Sequence, residues 1–174
     1  MNSFFALIDR LNAAAPEHRQ AVNDEVWKAF GVEKAILCLD MSQFSLSVRR
    51  SGIVSYLGQI RRMHVVTEPL VRRSRGAVVK YQADNLMAVF DDARDAGVAA
   101  VEMNMQPAGV PLKGGAEPFT VAIGIDVGRF LMVPGRDCFG DPVNVAYKLG
   151  EDLARPREVL VTAAVRDRLG AAFA

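Results

Sequence analysis

Histidine and cysteine are scarce in this chain, two of each among 174 residues. Cys38 and Cys138 share no C-x-x-C spacing and have no histidine cluster beside them, which argues against a structural zinc site. Both are flanked by apolar residues and read as buried free thiols, a usage suited to a reducing compartment. Excess charge is also lacking: the formal net charge is +1, so the overall balance points neither to nucleic acid nor to an acidic partner. Every apolar run is broken by charge well before the roughly 18 residues that a membrane-spanning helix needs. The stretch Met1–Leu11 carries Asp9 and Arg10 within a helical pattern. It has no basic region followed by a long apolar core, and so reads as structure and not as a signal peptide. No G-x-x-x-x-G-K-[ST] occurs, which excludes P-loop chemistry. Repeats and low-complexity segments are absent. The expectation is a soluble cytoplasmic domain.

What is present is apolar content of 51%, enough to build one compact core at this length. Phe4, Phe5, Leu7, Ile8 and Leu11 recur at helical spacing, and Val22, Val26 and Phe30 mark a second helix that Gly31 stops. Lys34 to Asp40 is a nearly continuous apolar run ending in a carboxylate, as a central buried strand requires. From Ile53 to Val71 the apolar residues fall three and four apart, predicting the longest amphipathic helix. The arginines at 49, 50, 61, 62, 72, 73 and 75 cluster along it. Without interleaved aromatics they read as a solvated face with arginine stems packed over the core, not as a polyanion site.

Ala77–Tyr81 and Asn85–Phe90 read as a hairpin, and Asp91 and Asp92 cap a helix that runs to Met105. Residues 106–118 hold three glycines and three prolines, a surface loop. Phe119–Asp126 and Phe130–Val133 are expected as strands on either side of a tight turn at Val127-Gly128. A helix follows from about Pro142 to about Leu149 or a little further, then a strand at Val159–Val161 and a final helix capped by Thr162. The order predicts an α+β domain with a ferredoxin-like β-α-β-β-α-β core, helices on one face. An N-terminal helical segment, residues 1–32, precedes it.

Two aspartates stand out by position. Asp40 ends the first strand and Asp84 lies in the turn between the second and third, strands that are close neighbours in this core. Convergent carboxylates at strand ends suit divalent ions held jointly with substrate phosphates. On spacing alone, Asp84 reads equally well as an ordinary turn residue.

Four stretches carry a resemblance that bears on this choice. They are Asp40-Met-Ser-Gln-Phe-Ser45, Val79-Lys-Tyr-Gln-Ala-Asp84 with Met87-Ala-Val-Phe90, Ile123-Gly-Ile-Asp-Val-Gly128, and Phe139-Gly-Asp-Pro-Val-Asn-Val-Ala146. In order and spacing they resemble the motifs of class III adenylyl and guanylyl cyclases over about residues 35–169. The resemblance implies that residues 33–174 form a cyclase catalytic domain, and many members of the family continue beyond the last helix into a closing C-terminal hairpin.

It further implies that Asp40 and Asp84 hold two Mg²⁺ or Mn²⁺ ions, and that Gln43, Phe44 and Ser45 cradle phosphate oxygens. From the other subunit of a homodimer, Lys80 and Asp137 would read the base, with adenine favoured over guanine. Asn144 would position the ribose, and Lys148 stands where the family usually has a transition-state arginine. The implied reaction converts a nucleoside triphosphate to a 3′,5′-cyclic nucleotide and pyrophosphate.

Departures from the family pattern cluster around phosphate handling. Lys148 keeps charge without arginine's planar fork. Ala122 stands where many members have a phosphate-binding arginine, and Gln43 replaces a common glycine. Ala83 occupies a glycine position whose φ > 0 would strain its Cβ. These departures leave a second function in play: a catalytically degenerate cyclase-like module that binds nucleotide or dimerises to regulate a partner.

Overall fold

The computed structural model describes residues 3–41, 52–105 and 119–170. Two helices, α1 (Phe4–Ala13) and α2 (Pro16–Phe30), lead into β1 (Gly31–Met41). After β1 come α3 (Ile53–Arg73), β2 (Ala77–Gln82), β3 (Asn85–Phe90) and α4 (Ala93–Met105). Then follow β4 (Val121–Val133), β5 (Asp137–Phe139), α5 (Asp141–Tyr147), a π-helical turn (Lys148–Leu153), β6 (Val159–Val161) and α6 (Ala163–Leu169). The sheet order is β2-β3-β1-β4-β5, with β6 parallel to β4 and the other pairings antiparallel.

Alternation along β1 divides the molecule into two faces. Ala35, Leu37, Leu39 and Met41 join Tyr56, Met63, Leu70 and Val71 of α3 and Ala96, Ala99, Ala100 and Met103 of α4 in the main core. Each fully buried aliphatic side chain there contributes about 1.5–3 kcal/mol. The small residues of α4 let that helix lie close to the sheet. Ile36 and Cys38 point the other way, into a second cluster with Val79, Met87, Phe130, Cys138, Val143 and Ala146. Asp40 continues this second row at the end of β1.

Three features differ from the sequence reading. Val127-Gly128 is not a turn: β4 runs unbroken through it for 13 residues, and the chain reverses beyond Val133, where Arg136 N–H bonds the Val133 carbonyl at 3.0 Å. The glycine serves close approach instead. A Cβ on Gly128 would lie 2.8 Å from the Pro142 ring, and one on Gly124 would lie 2.1 Å from the Ala146 carbonyl oxygen. These two glycines, four apart on one strand, seat α5 on the second face. Helices therefore do not occupy one face only. Third, Asp137 belongs to β5, paired with Val133, and not to the turn before it.

The remaining elements follow their sequence signals. Asp92 caps α4, its Oδ1 accepting from Arg94 N–H at 2.9 Å. The Thr162 hydroxyl accepts from Val165 N–H at the start of α6 and donates to the buried Asp126 at 2.6 Å. Arg72, Arg73 and Arg75 are exposed and pair with Glu68, Glu102 and Asp95, as a solvated face should. Both cysteines are free and buried. The helices α1 and α2 pack Phe4, Leu7 and Val26 against Leu131 and Val133 at the far end of β4. Phe4 stacks on Phe139 of β5 with ring centroids 5.4 Å apart. Among the described residues no helix is long and apolar enough to cross a membrane.

Candidate active site

The end of β1 and the β2–β3 turn meet as expected. Asp40 sits opposite Asn85 of β3 and Ala122 of β4, and Met41 N–H donates to the Asp84 carbonyl at 3.2 Å. That bond fastens the turn to the strand end and holds both aspartates at one edge. Both are half-buried. The Asp40 carboxyl is pushed up to about 7, first by burial and then by the charges of Asp84 and Glu151. A carboxyl so perturbed marks a place short of positive charge.

Ala83, between Gln82 and Asp84, takes φ +51°, the left-handed conformation that costs a residue with a Cβ roughly 1–2 kcal/mol. Neighbouring contacts offset this. His64 of α3 stacks on Tyr81, two residues before Ala83, at 3.8 Å between centroids. The Tyr81 hydroxyl lies 3.3 Å from the His64 carbonyl oxygen and 3.2 Å from the Thr67 hydroxyl. From the main core, the Tyr56 hydroxyl donates to Asp84 Oδ2 at 2.8 Å.

Lys80 and Asp137 come together although they stand on the two terminal strands of the sheet path. Lys80 Nζ donates to Asp137 Oδ2 at 2.8 Å, and both side chains are mostly buried. Asp137 Oδ1 accepts from Cys138 N–H at 2.9 Å, so both carboxylate oxygens are engaged. A β-bulge aids this: the ladder pairs Val78 with Ala88 and Lys80 with Met87, leaving Val79 as an extra residue. The bulge turns Lys80 onto the second face beside Met87. The neighbouring thiols are pushed up by burial, that of Cys138 to about 11, and are inert at neutral pH.

Asn144 is exposed on α5, and Lys148 is exposed at the first position of the π-helical turn. Gln43, Phe44 and Ser45 lie outside the described residues. Three contributors are not anticipated from the sequence: Tyr56, Asn85 and Glu151. Asn85 Nδ2 donates to Glu151 Oε1 at 2.5 Å, which brings a third carboxylate close enough to act on Asp40. The signal for Tyr56 was available, since a tyrosine at a core position of an amphipathic helix needs a partner for its hydroxyl. The extra residue of the π-turn, which places Glu151, has no comparable signal.

Oxygen donors of this kind fit a small hard cation. Among the described residues no cluster of three or more histidine, cysteine or carboxylate ligands forms. Asp40 and Asp84 bring two carboxylates together at this edge, and Mg²⁺ sites in general combine one or two carboxylates with water and substrate phosphates.

No protein-family model and no curated protein sequence matches the chain. Solved structures do. The adenylate/guanylate cyclase/hydrolase from Silicibacter pomeroyi superposes with a TM-score of 0.67 at 29% identity, over 79% of each chain. The guanylate cyclase domain of RhGC from Catenaria anguillulae, in complex with GTP, gives 0.71 at 14% identity over 81% of this chain and 84% of that one. The catalytic core of a rhodopsin-guanylyl cyclase with converted specificity, in complex with ATPαS, gives 0.71 at 16% identity over the same shares. The chain has the fold of the class III nucleotide cyclase catalytic domain.

Proposed function

We propose that this chain is a nucleotidyl cyclase that converts a nucleoside triphosphate, ATP in preference, to a 3′,5′-cyclic nucleotide and pyrophosphate. The observation that carries the reading is the pairing of two sites on one fold. Asp40 and Asp84 meet at one end of the sheet, and Lys80 and Asp137 form a donor–acceptor pair on its second face. The solved structures with this fold include complexes with GTP and ATPαS.

Asp40 and Asp84 would hold Mg²⁺ or Mn²⁺ ions, which supply charge neutralisation at the phosphates and activation of the ribose 3′-hydroxyl. Lys80 would donate to adenine N1 and Asp137 would accept from the exocyclic amino group. Their mutual bond in the free chain would give way to the base. Asn144 would orient the ribose. Lys148 would place positive charge near the phosphates, as a point charge and not a bidentate fork. The 3′-hydroxyl would give up its proton to solvent as its oxygen bonds to the α-phosphorus, the bond from the α-phosphorus to the α,β-bridging oxygen would break, and pyrophosphate would leave.

The working unit is a homodimer in which the two half-sites of each centre come from different copies. Within one chain the charges acting on Asp40 are those of Asp84 and Glu151. Lys80 is bonded instead to Asp137 of the same chain at 2.8 Å. A two-fold axis over the second face would bring one copy's carboxylates to the other's base-reading pair.

The test is incubation of the full chain with each of ATP, GTP, CTP and UTP and Mn²⁺, with products identified by mass spectrometry. Cyclic AMP as the main product is the expected result. Nucleotide binding without any cyclic product would replace this reading with that of a regulatory cyclase-like module.

A further inference from the structure

We infer that Tyr56 is a positioning residue that ties one oxygen of Asp84 and thereby favours a small octahedral cation over calcium. The inference rests on the metal-binding reading of Asp84 given above and goes beyond it.

Tyr56 lies in the first turn of α3 and is 1% exposed, packed among the apolar residues of the main core. Its hydroxyl emerges from that core to donate to Asp84 Oδ2 at 2.8 Å. The backbone of the same aspartate is held by Met41 N–H, which donates to the Asp84 carbonyl at 3.2 Å. Asp84 is thus fixed at its main chain and at one carboxylate oxygen. Its other oxygen carries no such tie to Tyr56.

A carboxylate held in this way offers a cation one strong oxygen at a defined position. Mg²⁺ and Mn²⁺, with near-octahedral shells at short distances, suit single-oxygen ligation. Calcium accepts six to eight oxygens and commonly takes both from one carboxylate. Freeing Oδ2 removes the constraint, lets the carboxylate turn, and relaxes the discrimination. Partners that orient a ligating side chain commonly account for 10- to 100-fold in metal affinity.

The test titrates the full chain with Mn²⁺, read by the loss of the free-ion electron paramagnetic resonance signal, and then displaces it with Ca²⁺. Wild type, Asp84→Ala, Tyr56→Phe and Tyr56→Leu are compared, each checked for native circular dichroism. Phenylalanine keeps the ring in the core, and leucine is a second donor-free choice should the first disturb packing. The expected result is loss of Mn²⁺ binding in Asp84→Ala. In either Tyr56 variant, Mn²⁺ binding should weaken about tenfold and the Mn²⁺/Ca²⁺ preference should narrow by a similar factor. Unchanged affinity and unchanged preference in a folded Tyr56 variant would overturn the inference while leaving Asp84 as a ligand. Equal Mn²⁺ binding in wild type and Asp84→Ala would overturn the metal assignment and the inference together.

Discussion

The carboxylate end of the sheet and the Lys80–Asp137 end are built by different means. Asp40 and Asp84 come from elements that touch through the β-α-β-β core, and short links hold them: one backbone bond and one tyrosine hydroxyl. Lys80 and Asp137 come from opposite ends of the sheet path and meet only because the β4–β5 hairpin reaches back to β2. That hairpin is itself packed by α1 and α2 through Phe4, Phe139 and Leu131. The first end carries unrelieved negative charge and backbone strain; the second is charge-matched within the chain. Burial and like charge raise the Asp40 carboxyl at the first end, whereas at the second the Lys80 ammonium and the Asp137 carboxylate satisfy each other.

Substitutions can break this contrast, and the largest effect belongs to the carboxylates. Asp40→Ala or Asp84→Ala should lower cyclase turnover by roughly 10³-fold or more while leaving circular dichroism unchanged, since charge stabilisation is the dominant catalytic term in such sites. Near-wild-type rates in Mn²⁺ would contradict the assignment. Lys80→Glu should act on selection instead of on rate in general. It removes the donor to adenine N1 and installs an acceptor, so ATP use should fall about 10- to 100-fold more than GTP use. Competition kinetics with the two triphosphates measures this, and equal losses would mean that residue 80 does not touch the base.

Stability should respond in the opposite sense at the carboxylate end. The Asp40 carboxyl is raised from 3.8 to about 7, so the folded state holds a proton there that the unfolded state gives up. Its contribution to stability is full below about pH 4 and is lost as pH rises through about 7. Asp40→Asn should therefore raise the melting temperature of the metal-free protein at pH 8 and leave it little changed at pH 4. Calorimetry at the two pH values checks this, and a gain confined to pH 4 would reverse the electrostatic account. Smallest of all, Ala83→Gly should relieve the left-handed strain at φ +51° and stabilise the chain by about 1 kcal/mol, less the backbone entropy that glycine loses on folding. Urea unfolding gives the value, and a clear destabilisation would show that the alanine methyl makes contacts worth more than the strain.

The carboxylate end was the more legible from sequence, for a physical reason. Asp40 closes an apolar run and Asp84 sits between two short alternating runs, so local periodicity alone puts both at strand ends. The bond between Lys80 and Asp137 depends on a bulge at Val79 and on the curl of a hairpin, and neither leaves a local pattern. Gly128 shows how such patterns mislead. In sequence it reads as a turn, yet in the fold it clears space for Pro142, because glycine serves close approach as well as reversal. The sequence predicts ordinary helix to about Leu149, where the structure has a π-turn over Lys148–Leu153 that carries Lys148 and Glu151. One inserted residue changes which side chains face the sheet without changing composition. Tyr56 falls on the apolar face of the amphipathic helix and is buried in the core, yet its hydroxyl donates to Asp84.

Complementation between two inactive variants tests the central claim, that one sheet face carries two half-sites which work only across a pair of chains. Asp84→Ala lacks the carboxylate half and Asn144→Ala lacks the ribose-positioning half, so each alone should be inactive. When the two are mixed, one interface centre of each heterodimer holds both intact halves. Cyclic nucleotide formation should then return to roughly a quarter of the wild-type rate, as expected when half of randomly paired dimers hold one working centre of two. No recovery, with heterodimers demonstrated by native mass spectrometry, would contradict the account.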